Sequence, residues 1–159
     1  MDKKKLRSIL SICALVLGVL TFLMMFMEVG GAKGMDGGFK GSEIVFGYKE
    51  KVAGLTAELL KFNFVALLAF VLPLAGGIVG FIAGRKENKM LTWIAAALFL
   101  VGFILIILLP VYWDMAAANK MIAEKLKMLD IKVLFGGILA GVFALLGAGA
   151  CVARNIIKE

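Results

Sequence analysis

The chain has 159 residues, 62% of them hydrophobic, with 18 Lys and Arg against 11 Asp and Glu and no histidine. A soluble domain of this length is usually near half apolar and a quarter charged, whereas here the mean hydropathy is +1.01 and only 18% of residues are charged. A core of this size cannot hide that much apolar surface, which therefore needs lipid; a soluble nucleic-acid-binding reading of the +7 net charge is excluded with it.

Four apolar runs stand out along the chain, at about 6–27, 62–84, 90–113 and 133–153. Each is roughly 20 residues or more, enough at about 1.5 Å rise per residue to cross a hydrocarbon layer of about 30 Å. In lipid the backbone must satisfy its own hydrogen bonds, so runs of this length are read as helices. The first follows the basic segment "MDKKKLR", which fits a signal peptide. Its apolar stretch is longer than such leaders carry, however, and "VGGA" (29–32) is a poor cleavage site. "LSIC" (10–13) hints at a lipoprotein box, but Ile12 stands where a small residue is wanted. Run one reads as a retained span.

The first intervening segment, 28–61, opens with many glycines and continues "FKGSEIVFGYK", whose β-branched and aromatic residues predict a short hairpin or a pair of strands. In "VAGLTAELLKF" the spacing of Val52, Leu55, Leu59 and Phe62 predicts an outward helical extension of the second span. Within that span Pro73 removes a backbone donor and predicts a bend, beside which a groove is one possibility. Gly76, Gly80 and Gly84 fall on one face and predict close approach of a neighbouring helix. "RKENK" (85–89) then stops the span and makes a tight turn.

The third span carries Trp93 near its start and Tyr112 and Trp113 at its end, rings whose amphipathic character predicts anchorage at headgroup level. Pro110 marks where this helix frays. The second intervening segment, "DMAAANKMIAEKLKMLD" (114–130), predicts either an amphipathic surface helix or a polar extension of spans three and four. In span four Gly137 and Gly141 form a second pair, and Gly136, Ala140, Ala144 and Ala148 a small-residue row. Whether these faces pack within one chain or between chains is open at this level.

Orientation follows from basic density. Segments 1–7, 85–89 and 154–159 hold nine Lys and Arg (Lys3, Lys4, Lys5, Arg7, Arg85, Lys86, Lys89, Arg154, Lys158), including every arginine, in 18 residues. The segments 28–61 and 113–132 also hold nine lysines, but in 54 residues and among eight acids. The positive-inside rule places both termini in the cytoplasm.

Polar residues offer little chemistry. Glu28 closes the first span and is expected to face water; Asn63 suits a helix-to-helix hydrogen bond or a wetted boundary. Cys13 and Cys151 lie toward the cytoplasmic ends of their spans and read as small buried hydrophobes, with no disulfide between them. No metal site, no cofactor and no catalytic constellation are expected, because histidine, paired carboxylates within a span and phosphate-cradling loops are all absent.

This layout of four spans, inside termini, a larger first outer loop containing "GSEIVFGYK" and a tight inner turn resembles the claudin-like tetraspan membrane proteins. Claudins carry a "GLW" segment and two cysteines in that loop; neither is present here, so the resemblance implies the topology and no barrier function. The chain is also similar to small uncharacterised four-span proteins of Gram-positive bacteria. Small multidrug exporters share the span count but use an acid inside the first span, which has none before Glu28.

The expectation is a single four-span domain over 1–159: an all-α membrane protein, a four-transmembrane-helix bundle with a small extracellular β element in the first outer loop. Its expected role is non-enzymatic, structural or accessory, in a bacterial plasma membrane. The expected partners are the lipid bilayer and a second copy or a larger membrane complex, with no nucleic acid. A small transporter or lipid-handling protein is the alternative.

Overall fold

The computed structural model describes residues 3–32, 37–52, 55–113 and 130–157, together with Ala117, Lys120, Met121, Glu124 and Met128. In chain order, α1 (Lys3–Leu23) runs into one turn of 3₁₀ helix (Met24–Phe26), followed by β1 (Glu28–Ala32), β2 (Phe39–Lys40) and α2 (Gly41–Phe46). Next come β3 (Tyr48–Val52), β4 (Leu55–Leu60), α3 (Phe64–Lys86) and α4 (Lys89–Ile107). The described chain closes with α5 (Leu109–Tyr112), β5 (Ile131–Val133) and α6 (Phe135–Ile156). Four helices are long and apolar enough to cross a membrane: Lys3–Phe26, Phe64–Lys86, Lys89–Ile107 and Phe135–Ile156. The chain is a multi-pass membrane protein built on a four-helix bundle.

The helices form a ring in chain order: α1 lies against α3, α3 against α4, α4 against α6, and α6 closes on α1. Local chemistry sets their ends. Asn63 caps α3, its Oδ1 accepting from the Ala66 amide at 3.1 Å. At the other end Glu87 takes a left-handed conformation (φ 51°), and Arg85 and Lys86 lie in the last turn, where positive charge favours a helix C-terminus. Asn88 immediately caps α4 by accepting from Met90 and Leu91 (2.9 and 3.2 Å). The short polar knot after the glycine row is thus one helix's stop fused to the next helix's start.

Two small sheets sit at the end of the bundle opposite this turn. One has strand order β2-β1-β5, all antiparallel, with Gly30 opposite Val133 and Ala32 opposite Ile131. It joins the two long inter-span segments. The other is the β3–β4 hairpin, carrying a Lys49–Glu58 ion pair at 3.7 Å. Between β2 and β3 lies α2, its first turn held by the Lys40 amide donating to Glu43 at 2.9 Å. Gly47 follows at φ 98°, and a Cβ there would stand 2.7 Å from the Leu60 carbonyl oxygen. Only glycine turns the chain at that point.

Several expectations are corrected. Residues 55–60 are a strand, not an outward extension of the second helix, although Val52, Leu55 and Leu59 have helical spacing. Pairing with β3 supplies the backbone bonds, and the Asn63 cap starts the helix only at Phe64. The centre of "FKGSEIVFGYK" is helical, with strands only at its flanks. The third span ends at Ile107, not Trp113: Leu108 leaves helical geometry and Pro110 opens the separate turn α5. Of the predicted surface helix over 114–130, the described positions Lys120, Met121, Glu124 and Met128 are helical and exposed; the rest of that reading lies outside the described residues.

Asn63 does more than cap. It is 4% exposed, and its Nδ2 donates to the Tyr112 carbonyl oxygen at 3.4 Å, tying the start of α3 to the end of α5. Asn63→Ala should cost about 1–2 kcal/mol, read as a fall of a few degrees in the thermal midpoint in detergent. An unchanged midpoint would show that the cap contributes nothing.

Candidate functional site

The glycine seams lie inside the ring. A Cβ on Gly76 would stand 3.0 Å from the Ala95 carbonyl oxygen and from Phe99, both on α4. Gly80 sits where all four helices converge, 3.3–3.6 Å by the same measure from Cys151, Ala95 and Ala14. Gly84 faces Ser11 of α1, at 2.6 Å from its Cβ. On α6, Gly141 meets Phe103 and Ile106 of α4, and Ala144 is fully buried. Gly137 faces a strand and not a helix: it lets the Val29 carbonyl oxygen of β1 approach within 2.7 Å of where its Cβ would be. The row predicted to present one face to one neighbour therefore serves several neighbours of the same chain.

The closest backbone approach between helices falls on glycines outside the predicted row. Gly77 and Gly18 bring α3 and α1 into backbone contact, and a Cβ on Gly18 would lie 2.6 Å from the Pro73 carbonyl oxygen. Across the helix, Gly102 of α4 abuts the Pro73 ring and the Ala69 carbonyl oxygen. Gly18 and Gly102 thus let neighbouring helices close in on both sides of Pro73, where a groove was one possibility.

The aromatic anchors divide. Trp93 is exposed. Tyr112 and Trp113 are not at a lipid-facing border but inside, 4% and 1% exposed. The Tyr112 hydroxyl donates to the Leu105 carbonyl oxygen at 2.7 Å, and burial pushes its phenol above the ordinary range, keeping it a neutral donor. Trp113 fills a socket made by Gly30 of β1, Leu109 and Phe39, the last edge-to-face at 5.3 Å. Its indole Nε1 has no acceptor among the described residues, so packing alone holds it. Among the described residues the exposed aromatics at this end are instead Phe26, Phe46, Phe62, Phe64 and Phe135.

The opposite end carries a polar constellation that charge counting missed. Arg154 is 3% exposed. Its Nη1 donates to Thr92 Oγ1, and its Nη2 donates at 3.0 Å to the Ala83 carbonyl oxygen, which also takes the Glu87 and Asn88 amides. The side chain stitches α6 to the α3–α4 turn. Beside it is a cavity of about 280 Å³ lined by Lys4, Arg7 and Ser8 of α1, by Gly84, Arg85 and Glu87, and by Arg154. The available signal was periodic: the buried positions Ala140, Ala144, Ala148 and Cys151 lead one turn further to Arg154.

Glu28 is exposed at the start of β1. Of the two cysteines expected to be buried, Cys151 is buried but Cys13 is exposed, on the outer face of α1. Among the described residues no three His, Cys, Asp or Glu side chains gather as metal ligands. No family model, no curated protein and no solved structure matches this chain.

Proposed function

We propose that this multi-pass membrane protein acts without catalysis, as a structural or accessory component that associates with a second copy or with a larger complex in a bacterial plasma membrane. The reading places both termini in the cytoplasm and the two sheets outside, in a claudin-like topology. One observation carries it: β1 pairs with β5, so that both inter-span segments form one structure, and that structure is fastened to the bundle through the Trp113 socket. A bundle whose seams are closed at Gly18, Gly77 and Gly102 serves as a rigid mount for this platform. The same closure, including both sides of Pro73, weighs against passage of a substrate between the helices.

A photoreactive side chain at Lys49, on the exposed hairpin, tests the reading in native membranes. A discrete polypeptide adduct, with this chain or another, is expected; adducts to lipid alone would overturn the proposal. In a Cys13→Ser/Cys151→Ala background, Ala144→Cys should resist a membrane-impermeant thiol reagent. Its modification in intact membranes would reveal a water path and favour transport.

A further inference from the structure

We propose that the cavity at the Arg154 end binds a phosphate-bearing anion, the shared chemistry of an anionic lipid headgroup and free phosphate. The site lies at the opposite end from the sheets and does not depend on the assembly reading. Lys4, Arg7, Arg85 and Arg154 bring four cations to its wall, and Glu87 is the only carboxylate among the described lining residues. Three of those cations sit where positive-inside topology alone would put them. Arg154 does not fit that account, because it is buried within the bundle and both its hydrogen bonds go to neutral oxygens.

A charge removed from water is costly unless an opposite charge or a full set of hydrogen bonds compensates it. Here the compensation is partial: Arg154 Nε is buried with no acceptor among the described residues. Its two Nη bonds fix the guanidinium plane, so a bound anion meets a preorganised donor and not a flexible one. Arg85, lying 4.7 Å over the Phe81 ring, is similarly held at the rim. The cavity also opens against the first turns of α1, which contain no acidic residue and whose helix dipole favours negative charge. Its volume admits several water-sized groups, room for a phosphate with part of its hydration. Basic pockets of this kind between helices, on the cytoplasmic side, suit phosphate headgroups of that leaflet.

The test uses the full chain in mild detergent. In one arm it is mixed with phosphatidylglycerol or with phosphatidylcholine, and retained lipid is counted by native mass spectrometry. In the other, thermal stability is followed against inorganic phosphate or chloride at matched ionic strength. Arg154→Gln also cuts the stitch to Thr92 and Ala83, so the rim variant Lys4→Gln/Arg85→Gln carries the test, with Lys49→Gln at the far end as control. One retained phosphatidylglycerol is expected, its affinity about ten- to thirty-fold lower in the rim variant and unchanged in the control. Stabilisation by phosphate that the rim variant loses identifies free phosphate as a ligand; response to the lipid alone identifies the headgroup, and either supports the site. Equal retention of the two lipids with no phosphate effect, or wild-type binding by the rim variant, overturns it.

Discussion

Gly77→Leu should lower the melting temperature of the detergent-solubilised protein by about 6–12 °C, whereas Gly149→Leu should move it by no more than about 2 °C. Both replacements put the same side chain into an apolar helix, so hydropathy and helix propensity predict little difference. The surroundings decide. A Cβ on Gly77 would stand 2.9 Å from the Ala14 carbonyl oxygen, 3.2 Å from the Leu15 Cα and 3.3 Å from the Gly18 Cα. These are backbone atoms and cannot turn aside, so the α1–α3 pair must separate and forfeit its van der Waals contact along several turns. Overpacking of this kind costs about 3 kcal/mol. Around Gly149 a Cβ would meet nothing within 4 Å. Gly18→Leu wedges the same seam, so the double variant should lose less than the two single losses together. Equal melting of the Gly77 and Gly149 variants would show that α1 and α3 do not meet as described. A changed oligomeric state with unchanged melting would instead place the Gly77 contact between chains.

The four spans were legible because length and hydropathy are properties of a segment alone, and "RKENK" was legible because caps and helix-ending charge are local. What escaped reading depends on partners. Val52, Leu55 and Leu59 carry a helical spacing that would serve equally in a surface helix; the neighbouring strand Tyr48–Val52 decides for β4. Pairing of Gly30 with Val133 links positions far apart in the chain. Glycines have weak strand preference, and nothing near "EVGGA" announces a partner beyond two later spans. The glycine row 76, 80, 84 did indicate close approach, yet a helix inside a ring has neighbours on two sides. A row in one helix cannot say which neighbour receives which glycine, so the closest backbone approach between helices, at the Gly18–Gly77 seam, was missed. Arg154 was counted as a topological charge because it ends a span. The stripe of small residues that precedes it on α6 already pointed that position toward the interior.

Trp113→Ala should open the platform while leaving the bundle folded, and Trp113→Phe should largely restore it. The Trp113 side chain is among the largest fully buried ones, and removing such a ring costs about 3–5 kcal/mol through lost transfer energy and the cavity left behind. That loss falls on the contact between α5 and β1, where the ring sits 2.5 Å from the place a Gly30 Cβ would occupy. Hydrogen exchange should therefore rise in Gly30–Ala32 and Ile131–Val133, which pair as antiparallel strands, and stay slow in α3 and α4. Phenylalanine retains most of the packing and the edge-to-face contact with Phe39. It also removes an indole N–H that has no acceptor among the described residues, so it should cost about 1 kcal/mol or less. A headgroup anchor would behave differently: there the N–H faces water, and phenylalanine would be nearly as poor as alanine. Since Trp93 is the only other tryptophan and is exposed, the fluorescence of Trp113→Ala should lose its buried, blue-shifted component. Equal damage from the two substitutions, or exchange rising through α3 and α4 as much as through the strands, would mean that Trp113 does not fasten the sheet to the bundle.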